Sequence, residues 1–429
     1  MALKRELQLW EIVLAGVGVI VGAGIYALIG KGAGIAGPYV WLSFAVGGFI
    51  ALMTGLSYAE LSSRFPKAGA EYVYARSVFS ETIARLCGFA LLVVGFTSAT
   101  VVALGFGGYL HGLTQIPVIW GAAGVILVSA FVLLRGTKFA TDLAGGISII
   151  EMLGLAVVLW IGFPTIANGF AIPLIAELPT VLYGTAVVFF AFLGFEELVR
   201  MSEETKNPKV QMPKALIAAV IISSVLYVLV SASAVGLVGA DALGKSTSPL
   251  ATVVKPTLGE NGFFLMSLAG LLSTFNTVLL IVLASSRLLY GMGKEKSVPE
   301  LFARTTKGQP VQAMIAAVVI SGALLLLNDI TLIAQMTDAL LFVVFAIMNL
   351  VIIKLHHRKS KTSGFRVPWD VGGIPLPAVL GLLASVGMLI FVERNALIYS
   401  FGFFIVLAVV LSALNPAAKS TAARTKAGH

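Results

Sequence analysis

The stretch Gly16-Val-Gly18-Val-Ile-Val-Gly22-Ala-Gly24-Ile-Tyr26 decides the fold. It lies in an apolar run over residues 11–35, and about 20 apolar residues suffice to cross a bilayer. Each glycine costs a helix interior about 1 kcal/mol relative to alanine, so a cluster of them at mid-membrane needs a reason. One reason is close packing of helices through small faces. The other is local unwinding, which offers backbone N–H and C=O groups to a ligand. Spacing alone favours packing.

A second interruption changes that balance. In Phe189-Phe190-Ala191-Phe192-Leu193-Gly194-Phe195-Glu196-Glu197 a glycine precedes two acids inside an otherwise apolar run. Apolar segments fall near 11–35, 38–62, 84–110, 116–134, 142–163, 179–199, 213–239, 262–288, 311–328, 331–353, 374–392 and 396–414. The two interruptions therefore sit in the first and sixth segments. Two halves of five helices, related as inverted repeats, would place them in corresponding positions. Paired interrupted segments of this kind point to a ligand site between them.

The rest of the chain agrees with an all-α integral membrane protein of about twelve transmembrane helices. Of 429 residues 58% are hydrophobic and 11% charged, more apolar surface than a soluble core can hide. With the N-terminus placed in the cytoplasm, all of the 29 Lys and Arg except Lys31, Lys245, Lys255 and Arg394 fall on the inner side. Both termini are then cytoplasmic. The net charge of +9 is a topology signal facing anionic lipid and needs no nucleic acid. Residues 1–8 lack a cleavable small-residue site, so the first span reads as a retained helix. Trp10, Trp41 and Trp120 stand at span ends, as interfacial anchors do. The single cysteine, Cys87, excludes an internal disulfide.

Other classes find little support. His356 and His357 are adjacent in a basic loop and read as surface residues, and no phosphate-binding loop is present. An enzyme, or a pump driven by ATP on this chain, is therefore not expected. A channel would need a ring of polar groups from an oligomer, which two unlike breaks in one chain do not supply.

Four motifs resemble one family. Gly22-Ala-Gly24-Ile-Tyr26 resembles the helix 1 signature of the amino acid–polyamine–organocation (APC) superfamily. Pro66-Lys-Ala-Gly69-Ala-Glu71-Tyr72-Val-Tyr74 resembles its stretch between helices 2 and 3. Phe190 to Glu196, with Glu204-Thr-Lys-Asn207-Pro208 and Met212-Pro213-Lys214-Ala215, resembles helix 6 and the loop after it. Ser286-Arg287-Leu-Leu-Tyr290-Gly-Met, then Val298-Pro299, resembles the signature following helix 8. They occur in the right order from residue 7 to about 310, and the likeness is greatest to amino acid permeases of the leucine-transporter fold.

The resemblance implies a cytoplasmic N-terminus (1–10), a first repeat (11–163), a second repeat (179–353), two peripheral helices (374–414) and a disordered cytoplasmic tail (415–429). It implies a secondary transporter of the plasma membrane that imports or exchanges amino acids by alternating access, as a monomer or weak homodimer in lipid, with no cofactor beyond a coupling ion. The substrate carboxylate would meet the N–H groups of Ala23 and Gly24 at the break after Gly22. The ammonium would meet the carbonyls of Ile20, Phe190 and Leu193 beside Gly194. Helix ends suit this division, because donors cluster at one end and acceptors at the other. Phe190, Phe192 and Phe195 are candidate walls or gates. Thr97, Ser98 and Thr100 are candidate pocket hydroxyls, or hydroxyls bonded back to their own helix.

Glu151 lies near the middle of the fifth span, where an acid is expensive and functional by default. Proton-coupled members of the family carry a lysine at the matching place, and this chain departs from them. A carboxylate here can take up and release the coupling proton. Alternatively it can complete a sodium site with Ser273 and Thr274. Glu196 is a candidate for linking occupancy to gating, Glu197 for pairing with Arg200, and Glu60 for an interfacial charge. The reading adopted is proton-coupled carriage of amino acids. Sodium coupling, or exchange of polyamines or cationic amino acids, is the alternative.

Overall fold

A computed structural model describes residues 7–66, 70–167, 172, 174–306, 309–358 and 364–414. The expected tail at 415–429 and the first six residues lie outside this set. Hydrocarbon offers no partner to a backbone amide, so apolar segments must satisfy their own backbone as helices. All twelve apolar segments are helical, the first and sixth with an interruption. The first span is two helices, α1 (Leu9–Ile20) and α2 (Ala23–Ala36). Then come α3 (Val40–Arg64), the short α4 (Ala70–Arg76), α5 (Glu81–Thr114), α6 (Val118–Arg135) and α7 (Thr137–Ala167). The sixth span joins α8 (Leu178–Val188), a 3₁₀ turn (Phe189–Phe192) and α9 (Phe195–Leu198). There follow α10 (Pro208–Val238), the short α11 (Ala240–Lys245), α12 (Pro249–Lys294), α13 (Val311–Leu324), α14 (Ile330–His357), α15 (Leu376–Met388) and α16 (Arg394–Ala413).

Among the described residues nine helical runs are long and apolar enough to cross a membrane. Leu9–Ile20, Val311–Leu327 and Leu376–Met388 are shorter apolar helices. The narrow boundary between the ninth and tenth spans has a clear cause. Asn328 adopts the left-handed region (φ 47°), and the Asp329 side chain caps α14 by accepting from the amides of Thr331 and Leu332.

The core forms where α3 lies along α10 and α5 lies against α12 and α14. The last helix, α16, packs on α14 and α5 and leaves Ile398, Ile405, Val406 and Val409 exposed, as a peripheral helix in lipid does. Loops that alternation assigns to one side do meet. Lys31, Pro117, Ser246, Thr247 and Asn328 border a common cavity at one end. At the other end Leu7 pairs with the strand-like stretch at Thr205, and the Ser63 hydroxyl donates to the Lys209 carbonyl.

Two expectations fail at that second end. Glu60 is not an interfacial charge, and His356 is not a surface residue; both side chains are fully buried. The loop after α14 explains this. It turns at Gly372 and Gly373 (φ 64° and 87°) to form a hairpin of Asp370–Val371 with Ile374–Pro375, which lies over the ends of α3 and α14. His356 Nδ1 is 2.8 Å from Asp370 Oδ2, and its Nε2 is 2.8 Å from Glu60 Oε2. Only the doubly protonated ring donates at both nitrogens. Arg64 and the Val367 amide complete the shell of Glu60. Burial pushes the Asp370 carboxyl up, but His356, the Gly373 amide and Arg366 outweigh it and hold it below the ordinary range. Its contribution to stability is thus present above the unfolded carboxylate pKa and is lost as pH falls through the folded one. Replacing His356→Ala leaves Glu60 buried with fewer partners. It is expected to cost about 3 kcal/mol, read as a lower unfolding midpoint of the purified protein.

Candidate functional site

Both interruptions are true breaks. After α1, Val21 and Gly22 leave helical geometry (ψ 56° and −148°), and α2 restarts at Ala23. In the sixth span Leu193 is extended (ψ 135°) and Gly194 takes φ 117°, which a side chain would strain. The two reasons for glycine coexist in the first span. Gly22 belongs to the unwound joint, whereas Gly24 permits contact: a Cβ there would stand 2.5 Å from Ala191 Cα.

The breaks face one another across a cavity of about 390 Å³. Ile20, Gly22, Ala23, Gly24, Phe190, Leu193 and Gly194 all line it, together with Ser98 and Glu196. The half-buried Glu197, Met201 and Leu288 and the exposed Arg287 also line it. The side chain of Arg200 lies outside the described residues. Phe192 and Phe195 do not line the cavity. Phe192 packs on Tyr227 and Phe195 on Tyr58 and Phe345, with ring centroids 5.2–5.6 Å apart. Thr97 and Thr100 bond back to the Val93 and Phe96 carbonyls, while the Ser98 hydroxyl has no partner.

Several of the broken backbone groups already have partners, a feature that spacing could not reveal. The Ala23 amide donates to Thr277 Oγ1 at 3.1 Å. The Tyr227 hydroxyl lies 2.6 Å from the Ile20 carbonyl and 2.8 Å from that of Ala191, and so bridges the two breaks. The Phe190 carbonyl accepts from the Leu193 amide. The Gly194 amide donates to the buried carboxyl of Glu196 at 3.0 Å. Each carbonyl keeps a second lone pair and can accept an ammonium as well. The Ala23 amide has one hydrogen, so an incoming carboxylate must displace Thr277 or use the next amide, that of Gly24, in the first turn of α2.

Glu151 on α7 is buried away from this cavity. Its Oε1 accepts from Asn276 Nδ2 at 3.0 Å and its Oε2 has no partner. The Ser273 hydroxyl, one turn before Asn276 on α12, faces the Glu151 carboxyl without a close hydrogen bond, so the structure brings these two predicted residues together. Thr274 instead donates to the Gly270 carbonyl of its own helix, so its hydroxyl hydrogen is already committed. Sequence reading missed Asn276, Thr277 and Tyr227, because a single polar residue on an apolar helix carries no pattern. Asn276 and Thr277 are consecutive on α12. One holds Glu151 and the other holds the Ala23 amide. Tyr26 closes the loop from α2 by donating to the backbone carbonyl of Glu151 at 2.7 Å. The acid and the first break are thus tied through two short routes.

Comparison with known proteins adds a family. A family model described as amino acid permease matches residues 7–422. The chain is 27% identical to an uncharacterized protein of Methanocaldococcus jannaschii, over 82% of each chain. It is 30% identical to the branched-chain amino acid permease BcaP of Bacillus subtilis, over 70% of this chain and 69% of that one. It is 26% identical to a vacuolar cationic amino acid transporter of Arabidopsis thaliana, over 87% of this chain and 65% of that longer protein.

Replacing Tyr227→Phe removes the hydroxyl between the two breaks and leaves buried carbonyls short of a donor. It is expected to lower stability by about 1–3 kcal/mol, seen as a reduced unfolding midpoint.

Proposed function

This chain belongs to the amino acid permease family of the APC superfamily, and on that premise we propose that it is a proton-coupled secondary transporter whose substrate lies between the two breaks. The observation that carries the reading is the cavity lined by both broken spans, by Ile20, Gly22, Ala23 and Gly24 from the first and Phe190, Leu193 and Gly194 from the sixth, where each break brings amides and carbonyls together. An α-amino acid presents a carboxylate and an ammonium a few ångströms apart, and this pairing of helix ends suits both. The wall facing the substrate side chain includes Leu91, Val94, Ile281 and Leu288, which favours apolar side chains.

Glu151 serves as the proton carrier in this reading. Its free Oε2 can hold a proton, and Asn276 and Thr277 link it to the amide at the first break. Protonation would alter the Asn276 contact and, through α12, the contact that competes with the substrate carboxylate. Sodium is the alternative, because the Thr274 hydroxyl donates its hydrogen to its own helix and keeps its oxygen lone pairs for a cation. The working membrane in this reading is the plasma membrane, with both termini cytoplasmic.

A panel of L-amino acids tested for thermal stabilisation of the purified protein examines the substrate class. At a ligand concentration of 100 times Kd the true substrate should stabilise by about 2.7 kcal/mol, and a panel without any stabilising amino acid would sink the proposal. With the substrate identified, Glu151→Gln should abolish the pH dependence of uptake into proteoliposomes. Uptake in that variant still driven by a pH gradient assigns the proton to another group, and a requirement for Na⁺ replaces it.

A further inference from the structure

Behind the sixth-span break stands a carboxyl that the transport reading has not used. Asp338 lies in the first half of α14, with 0% exposure and no close hydrogen-bond partner for either oxygen. No Lys, Arg or His among the described residues forms an ion pair with it. Its direction is settled by its own helix. Phe342 and Phe345, one and two turns further on the same face, pack against Phe189 and Phe195, with centroids 4.6 and 5.2 Å apart. Asp338 therefore faces the broken stretch, and it lies against the backbone of Phe190. Beside it Thr337 donates to the Thr97 hydroxyl on α5.

The groups around it are acidic or neutral. Across the break the titratable group is Glu196, with Glu197 next to it. From α3 comes Tyr58, whose hydroxyl reaches Glu71 of α4 at 3.4 Å. Helix α15 contributes no charge. Glu393 and Arg394, before and at the start of α16, are exposed to solvent. Lys354 and His356 belong to the far end of α14, beside Phe79 and Glu60. An ionised carboxylate in this position would be a buried charge with no cation and only the backbone amide of Phe190 as a nearby donor, an expensive arrangement in a protein interior. As a carboxylic acid the same side chain costs only the burial of a neutral polar group.

We propose that Asp338 is a second proton-binding site, separate from Glu151, which holds its proton while the sixth span is broken as seen here and loses it when Phe190–Gly194 moves. On loss the O–H bond breaks and the proton passes to water in the cavity, leaving a carboxylate that accepts backbone N–H groups of the rearranged segment. The proposal rests on the transport reading for its purpose, though its test needs no substrate.

Infrared difference spectra of the purified full chain between acid and alkaline pH supply that test. A protonated-carboxyl component present in the native protein should survive in Glu151→Gln and vanish in Asp338→Asn. Its persistence in Asp338→Asn overturns the proposal. Hydrogen exchange of the peptide covering 189–197, corrected for intrinsic rates, gives a second readout. In the native chain protection should fall as pH rises, and Asp338→Asn, a mimic of the neutral acid, should hold the low-pH protection throughout. An unchanged pH profile in that variant would mean that Asp338 is only structural. Should Asp338→Asn fail to fold, Asp338→Glu must move both the carboxyl component and the pH profile, and leaving both in place overturns the proposal. A panel without stabilising amino acids alongside a positive infrared result would reject the substrate and keep the proton site.

Discussion

Every backbone N–H and C=O in hydrocarbon must find a partner within the protein, and the rest of this structure follows from that requirement. Ten spans meet it by hydrogen bonds along their own helices. The first and sixth do not, and the fold surrounds these two with the polar side chains that compensate. Tyr227 from α10 reaches one carbonyl at each break, Thr277 from α12 holds the amide that opens α2, and Glu196 turns back onto the amide of Gly194. The breaks are ordered joints, each held by a residue from another helix. A joint held by a few side chains can exchange them for a ligand of matching chemistry.

The buried acids fall into two kinds under the same constraint. Glu60 is ionised at little cost because His356, Arg64 and a backbone amide surround it. Glu151 and Asp338 have oxygens without partners, so a proton is the economical companion for each. Glu151 connects to the first span through α7 and α12, and Asp338 connects to the sixth through α14.

Much of this was legible in the residues. Apolar runs revealed the spans, because about 20 apolar residues in a row have few alternatives to crossing a membrane. The glycines at Gly22, Gly24 and Gly194 revealed the breaks, and the residues chosen around them line one cavity. Glu151 stood out because an acid amid apolar residues has no local excuse. Asp338 is equally isolated in sequence but lies nearer the outer end of its span and carried no motif. The hairpin that buries His356 was invisible, since its contacts with α3 join residues about 300 positions apart.

Sequence by itself determined the class, the apolar helical segments and the positions of the two breaks, since each depends on properties of a short segment in a hydrocarbon solvent. Tertiary structure decided which side chains satisfy the broken backbone, that Phe192 and Phe195 are core packing while Phe190 lines the cavity, and that Glu60 and His356 are buried together. Those outcomes depend on which helices lie side by side, and lone polar residues such as Asn276, Thr277 and Tyr227 acquire meaning only from the partner that packing brings to them. The glycines of the first span show both levels at once: their spacing allowed either packing or unwinding, and the fold uses Gly24 for one and Gly22 for the other.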